Sequence, residues 1–149
     1  MSTAAADLAR LHARCFTSPR PWTAEEIASL LTGSTVFLIG DSEGFAMGQA
    51  VAGEAELLTI AIPPESRRQG RGAALLEAFH REAFARGATQ AILEVSAENA
   101  DARALYAAAG YTQTGCRPGY YRALDGSRLD ALVLARSLPV LRCAAAKSG

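Results

Sequence analysis

Apolar positions along the chain recur first at helical spacing and then at strand spacing, and each change of period marks an element boundary. Residues 4–15 carry Leu8 and Leu11 on one helical face, and Thr23 followed by Glu26 has the spacing of a capping box that opens a second helix through Leu31. Pro21 and Trp22 separate the two. Strand-like runs follow at 35–39, 45–52 and 55–62. The link Asp41, Ser42, Glu43, Gly44 is rich in turn formers, so the first two runs predict an antiparallel hairpin that the third extends into a meander. Pro63 and Pro64 stop the pattern. From 72 to 86 the period is helical again, with Leu75, Leu76, Phe79 and Ala83 on one stripe and Gly87 suited to the helix end.

Residues 90–95 are apolar and β-branched around Glu94, which predicts a buried strand parallel to the 55–62 run, with the intervening helix as a right-handed crossover. Asn99 then opens an alanine-rich helix containing Leu105 and Tyr106, closed by Gly110. Two more strands are predicted at 111–116 and 128–135, with Asp125 and Gly126 at the turn between them. Beyond Pro139 the stretch 140–149 has no clear period. The expected organisation is one domain over residues 1–138 and a flexible tail at 139–149.

Composition narrows the function. Fifteen basic and fifteen acidic residues cancel, so no global field draws the chain to nucleic acid or to an anionic membrane, and neither is expected as a partner. Cys15, Cys116 and Cys143 are odd in number and widely spaced, which fits a reducing cytoplasm better than a disulfide framework. No run approaches the ~20 apolar residues of a membrane span, and residues 1–14 lack the pattern of a signal peptide. With only His12 and His80 and no carboxylate cluster at ligand spacing, no metal is expected, and both histidines read as surface or helix-face residues.

The stretch Arg67, Arg68, Gln69, Gly70, Arg71, Gly72 lies between a strand and a helix. Two glycines two apart let backbone N–H groups approach a ligand, and the helix start adds its orphan donors and the positive end of its dipole. Three arginines supply formal charge, and a pyrophosphate is a suitable guest. Taken alone, a glycine-rich turn before a helix is more often a plain solvated connection.

The order of meander, strand, Arg-x-x-Gly-x-Gly, helix, strand, helix with Leu105 and Tyr106, and final hairpin resembles the GNAT acyltransferase superfamily over roughly residues 5–138. The chain is most similar to the branch that acetylates the alanine N-termini of ribosomal proteins. Four stretches carry that likeness: 16–22, 57–62, 93–111 with Glu94, Asn99, Ala102, Tyr106 and Tyr111, and 117–130 with Arg117, Pro118, Tyr120, Tyr121 and Asp130. The resemblance implies an α/β (α+β) fold in which a mixed, mostly antiparallel twisted sheet holds a central parallel β-α-β unit flanked by helices. It implies acetyl-coenzyme A as co-substrate. The pyrophosphate would be held at Arg67, Arg68, Gln69, Gly70, Arg71, Gly72 and Ala73, the pantetheine arm would lie along Ile60, Ala61 and Ile62 as a guest strand, and Asn99 would hold its far side. The acceptor implied is a protein N-terminus, that of an alanine-initiated small-subunit ribosomal protein.

The same resemblance makes Glu94 the general base, directly or through water, and Tyr106 the acid that protonates the departing thiolate. An amine attacks only when neutral, and an α-amine with pKa near 8 needs about 3.5 kcal/mol less to deprotonate than a lysine near 10.4, so a carboxylate base suits it better. Plainer readings stand beside these roles. Glu94 could be a strand carboxylate, Tyr106 a core aromatic, Arg67 a solvated charge, and Tyr120 and Tyr121 hairpin packing. Trp22 reads as core or lid packing and Cys116 as packing, since no histidine lies nearby in sequence to activate it. Two other functions stay open: a GNAT enzyme acting on a small-molecule amine or another protein amine, and a non-catalytic acyl-coenzyme A sensor. Arg67 and Arg71 at variable positions of the loop, and a segment before Trp22 longer than the branch pattern, leave the acceptor open. Glu25, Glu26, Glu54 and Glu56 are candidates for an acidic surface facing a basic acceptor tail.

Overall fold

The computed structural model describes residues 5–16 and 20–139. Helix α1 (Ala5–Cys15) turns Leu8 and Leu11 inward, and α2 (Ala24–Leu31) buries Ile27. The capping box of α2 is formed: the Glu26 N–H donates to Thr23 Oγ1 at 3.1 Å and the Thr23 N–H donates to Glu26 Oε1 at 2.9 Å. Strands β1 (Val36–Asp41), β2 (Gly44–Val51) and β3 (Glu54–Ala61) make the antiparallel meander. A single 3-10 turn at Pro64–Ser66 leads to α3 (Arg71–Ala85), which crosses to β4 (Gln90–Ser96), parallel to β3. Helix α4 (Ala100–Ala108) connects to the hairpin of β5 (Thr112–Arg122) and β6 (Arg128–Ser137). Strand β6 inserts beside β4, giving the order β1-β2-β3-β4-β6-β5.

Alternation along the strands supplies two cores. Phe37, Ala46, Leu57, Leu93 and Val95 pack with Leu76, Phe79 and Tyr106 from α3 and α4, whereas Phe45, Met47 and Ala61 pack with Leu8, Leu11 and Ile27 from α1 and α2. Helix α3 crosses β2 very closely at Gly48. A Cβ there would lie 2.5 Å from the Phe79 ring and 2.8 Å from the Phe37 ring, which stack with centroids 5.8 Å apart.

One irregularity positions everything that follows. Leu57 pairs with Gly48 and Thr59 with Met47, so Leu58 is the extra residue of a bulge in β3. Bulges bend a strand and increase its twist. Strand β3 pairs with β4 only at Glu54–Gln90, Ala55–Ala91 and Glu56–Ile92, and parts from it where the bulge begins. Beyond that last rung, residues 57–61 and 93–96 face each other across a gap with no ladder bonds between them.

The structure corrects two sequence expectations. Strand β5 runs on to Arg122 rather than ending at 116, because the register shift between Arg117 and Tyr121 absorbs Pro118, which has no N–H to give a ladder. Both histidines, expected at the surface or on a helix face, lie on α1 and α3 but are buried, His12 at 2% and His80 at 7% exposure, which removes the surface alternative. The Trp22 N–H donates to His12 Nδ1 at 3.1 Å, so Nε2 bears the proton and donates to Thr59 Oγ1 at 3.0 Å. The His12 ring stacks on Phe16 and Trp22, at 4.2 and 4.9 Å between centroids. His80 Nε2 hydrogen-bonds the Tyr111 hydroxyl at 2.7 Å. Helical spacing alone cannot distinguish a solvated histidine from one whose polar atoms meet partners on other elements. Of the flexible tail expected at 139–149, only Pro139 is among the described residues, and 140–149 lie outside them.

Candidate active site

The start of α3 differs from those of α2 and α4. Gly70 is its N-cap at φ +77°, no side chain caps it and no acidic residue lies in its first turn. By contrast Thr23 caps α2, and Asn99 caps α4 by accepting from the Ala102 N–H at 3.1 Å. The first N–H held within α3 is that of Ala74, on Gly70 O at 3.0 Å, which leaves those of Arg71, Gly72 and Ala73 as orphan donors. A Cβ on Gly70 would meet nothing within 4 Å, so that side of the turn is open. Arg68 also takes a left-handed conformation, at φ +63°. These features concentrate backbone donors and positive potential at one exposed corner.

The arginine side chains divide their work. Arg67 Nε donates to Ile62 O at 3.2 Å, tying the loop to the end of β3, and the Arg71 guanidinium donates to Glu43 O at 2.7 Å in the β1–β2 turn. Arg68 and Gln69 are exposed. Gly72 lies inside α3, where a Cβ would sit 3.3 Å from Leu105 Cδ2, so its small size serves the approach of α4. Ile60 and Ala61 line the β3 rim of the gap, with Ile62 just beyond. The side-chain oxygen of Asn99 is committed to its cap, which leaves the amide nitrogen to face elsewhere.

Glu94 sits on central strand β4 with 28% of its side chain exposed, on the face opposite Leu93 and Val95. Arg117 Nη1 pairs with Glu94 Oε2 at 3.0 Å, and the same guanidinium lies 4.4 Å from the centre of the Tyr120 ring. Glu56, on the last rung opposite Ile92, shares the face of Glu94. Burial raises the Glu56 carboxyl above the ordinary range, Glu94 and Glu54 push it further, and Arg117 opposes them. Burial also raises the Tyr121 phenol, with Glu94 and Tyr120 adding to it. Tyr106 is 5% exposed, and its hydroxyl has no hydrogen-bond partner among the described residues. Burial, with a smaller push from Tyr121, holds that phenol protonated well beyond its usual range. The register of the β5–β6 hairpin brings Arg117 and Tyr121 to Glu94, a contact that the linear spacing of these residues does not reveal.

Other candidates have plainer roles. Trp22 packs on His12, Cys15 donates to Ile62 O at 3.2 Å, and Cys116 is exposed on β5 rather than packed as the sequence predicts. Glu26 is shared between the cap and Arg20, which reaches it at 2.9 Å, on the edge of a cleft of about 680 Å³ lined by Trp22, Glu25, Ser29 and Leu30. Among the described residues no group of three His, Cys, Asp or Glu could hold a metal ion, and no helix is long and apolar enough to cross a membrane.

The chain that carries this split parallel strand pair and uncapped glycine-turn helix belongs to the acetyltransferase (GNAT) family, whose model matches residues 5–111. It is similar to the [ribosomal protein bS18]-alanine N-acetyltransferase of Escherichia coli K12, with 44% identity over 101 residues covering 68% of this chain and 66% of that relative's length. The crystal structure of the ribosomal-protein-S18-alanine N-acetyltransferase from Escherichia coli superposes with a TM-score of 0.80 at 34% identity, covering 90% of this chain and 87% of that one. Arabidopsis thaliana NAA60 in complex with acetyl-CoA shares the fold, with a TM-score of 0.79 at 16% identity over 91% and 93% of the two chains.

Proposed function

We propose that this protein transfers the acetyl group of acetyl-coenzyme A to the N-terminal α-amine of an alanine-initiated small-subunit ribosomal protein in the cytoplasm, with Glu94 as general base and Tyr106 as general acid. The observation that carries the reading is the gap between β3 and β4, with the Glu94 carboxylate on the strand beside it and the unpartnered, buried hydroxyl of Tyr106 on the neighbouring helix. A buried hydroxyl without a partner costs about 1–3 kcal/mol, a cost that a polar atom of a bound substrate removes. The Escherichia coli ribosomal-protein-S18-alanine N-acetyltransferase, similar in sequence and in structure, suggests the acceptor class.

In this reading the backbone donors from Arg68 to Ala73 bind the pyrophosphate, with Arg67 beside them. The rim at Ile60, Ala61 and Ile62 pairs with the amides of the pantetheine arm as a sheet edge pairs with a peptide, and the Asn99 amide nitrogen meets the far side. Bound acetyl-coenzyme A supplies the acetyl group as an activated thioester. The acceptor ammonium first loses one proton through Glu94 to solvent; Glu94 then takes a second proton from the neutral nitrogen as the C–N bond forms, and Tyr106 gives its proton to the sulfur as the C–S bond breaks. The proton on Glu94 passes to solvent and Tyr106 is reprotonated, so an ammonium and a thioester become an amide, a thiol and one released proton. Desolvation raises the phenol and so holds it protonated until the sulfur departs, while the same dry surroundings disfavour a free thiolate.

The test is coenzyme A release with a peptide copying an alanine-initiated ribosomal N-terminus, beside the same peptide with its α-amine blocked and its lysines free. Turnover with the open terminus alone is the expected result. Equal turnover with both moves the acceptor to lysine, and turnover with neither overturns the proposed acceptor.

A further inference from the structure

Glu56 is a half-buried carboxylate with no hydrogen bond or ion pair to any described residue, one diagonal step from Glu94 on the same face of the sheet. Two carboxylates therefore look onto one guanidinium, that of Arg117, and Arg117 is bonded to Glu94 and resting on Tyr120. Glu54, next but one along β3, adds to the negative field. The local balance is an uncompensated negative charge beside the base. The same constellation holds a second unpartnered polar group, the Tyr106 hydroxyl, which is more than nine-tenths buried and interacts with Tyr121. Desolvating an anion without pairing it is unfavourable, and the fold leaves this one in place at the mouth of the strand gap.

We infer that Glu56 is a specificity-determining residue that seats the cationic α-ammonium of the acceptor between its own carboxylate and that of Glu94. This rests on the function proposed above. The ammonium brings the missing positive charge to Glu56, Glu94 and Arg117, and Glu54 on the same strand keeps the surrounding field negative. Arg117 keeps its place on Glu94 Oε2, which leaves the other Glu94 oxygen to accept the proton once the amine is seated. A terminus that is already acetylated carries no charge and gains nothing from Glu56. The carboxylate pair thus favours substrate over product and α-ammonium over neutral amides.

The experiment compares wild type, Glu56→Gln and Glu56→Asp with an alanine-initiated peptide and its N-acetylated form. Binding is measured by calorimetry in the presence of coenzyme A, where no turnover occurs, and kinetics are measured with acetyl-coenzyme A. Gln keeps the volume of Glu56 and breaks no bond, so the fold is retained, as circular dichroism will show. Wild type is expected to bind the free terminus about tenfold more tightly than the acetylated one, with that preference falling to near one in Glu56→Gln and partly recovering in Glu56→Asp. The peptide KM is expected to rise about tenfold in Glu56→Gln, with the KM for acetyl-coenzyme A held within about twofold. A wild type that acetylates no α-amine overturns the proposed function and this inference with it. A working wild type whose preference and peptide KM survive Glu56→Gln overturns the role of Glu56 alone.

Discussion

Acid destabilisation offers a direct check on the two buried histidines. Burial lowers both His12 and His80 from 6.5 to about 4, while in the unfolded chain they regain the ordinary value. A lowered histidine pKa means that the unfolded state takes up protons first as pH falls, so the folded state loses stability from about pH 6.5 down to about pH 4 and levels off below it. At about pH 5 the expected loss is about 2 kcal/mol per histidine, about 4 kcal/mol for the pair, out of a total of about 5–15 kcal/mol for a typical domain. Most carboxylates titrate below this window, so the histidines dominate it. Urea unfolding from about pH 7.5 to about pH 5, followed by far-UV circular dichroism and by the fluorescence of the single tryptophan, Trp22, reads the loss directly. His80→Gln keeps an amide able to meet the Tyr111 hydroxyl and should roughly halve the decline. A stability constant to within about 0.5 kcal/mol across that range would refute the claim that both rings are held neutral.

Three further outcomes are expected. Tyr106→Phe should slow the single-turnover acetyl transfer by about 10²-fold or more while leaving the melting temperature equal or higher, since it deletes an unpartnered buried hydroxyl; a fall in both would assign it a structural role. Gly48→Ala should cost about 1–3 kcal/mol in urea unfolding, because its Cβ would meet two aromatic rings that cannot both retreat, and a neutral result would contradict the packing of α3 on β2. Gly70→Val and Gly72→Val should separate two kinds of glycine: the first strains a left-handed turn, at about 1–2 kcal/mol, and weakens acetyl-coenzyme A binding in a titration, whereas the second lowers stability by crowding Leu105; a Gly70→Val variant with unchanged stability and affinity would contradict the role of the turn.

The elements themselves were legible in the chain because their signals are local. The capping box at Thr23 and Glu26, the glycine turn before α3, the stripe of Leu76, Phe79 and Ala83, and Asn99 at the start of α4 each depend on residues within a few positions of one another. The family, with Glu94 on a central strand and Tyr106 on the helix after it, was legible for the same reason, through motifs that keep fixed spacing.

What only tertiary structure decided depends on contacts between distant segments. The bulge at Leu58 is defined by β2, and it sets where β3 leaves β4, yet leucine carries no mark of it in sequence. The burial of His12 depends on Thr59, 47 residues away, and that of His80 on Tyr111, 31 residues away. Arg117 reaches Glu94 because β6 inserts between β4 and β5, and Glu56 joins them because parallel pairing lasts just long enough to put it on their face. Period and capping fix which residues form each element, but strand order and register fix which charges meet, and the energy that selects them is spread over two cores rather than written at any one position.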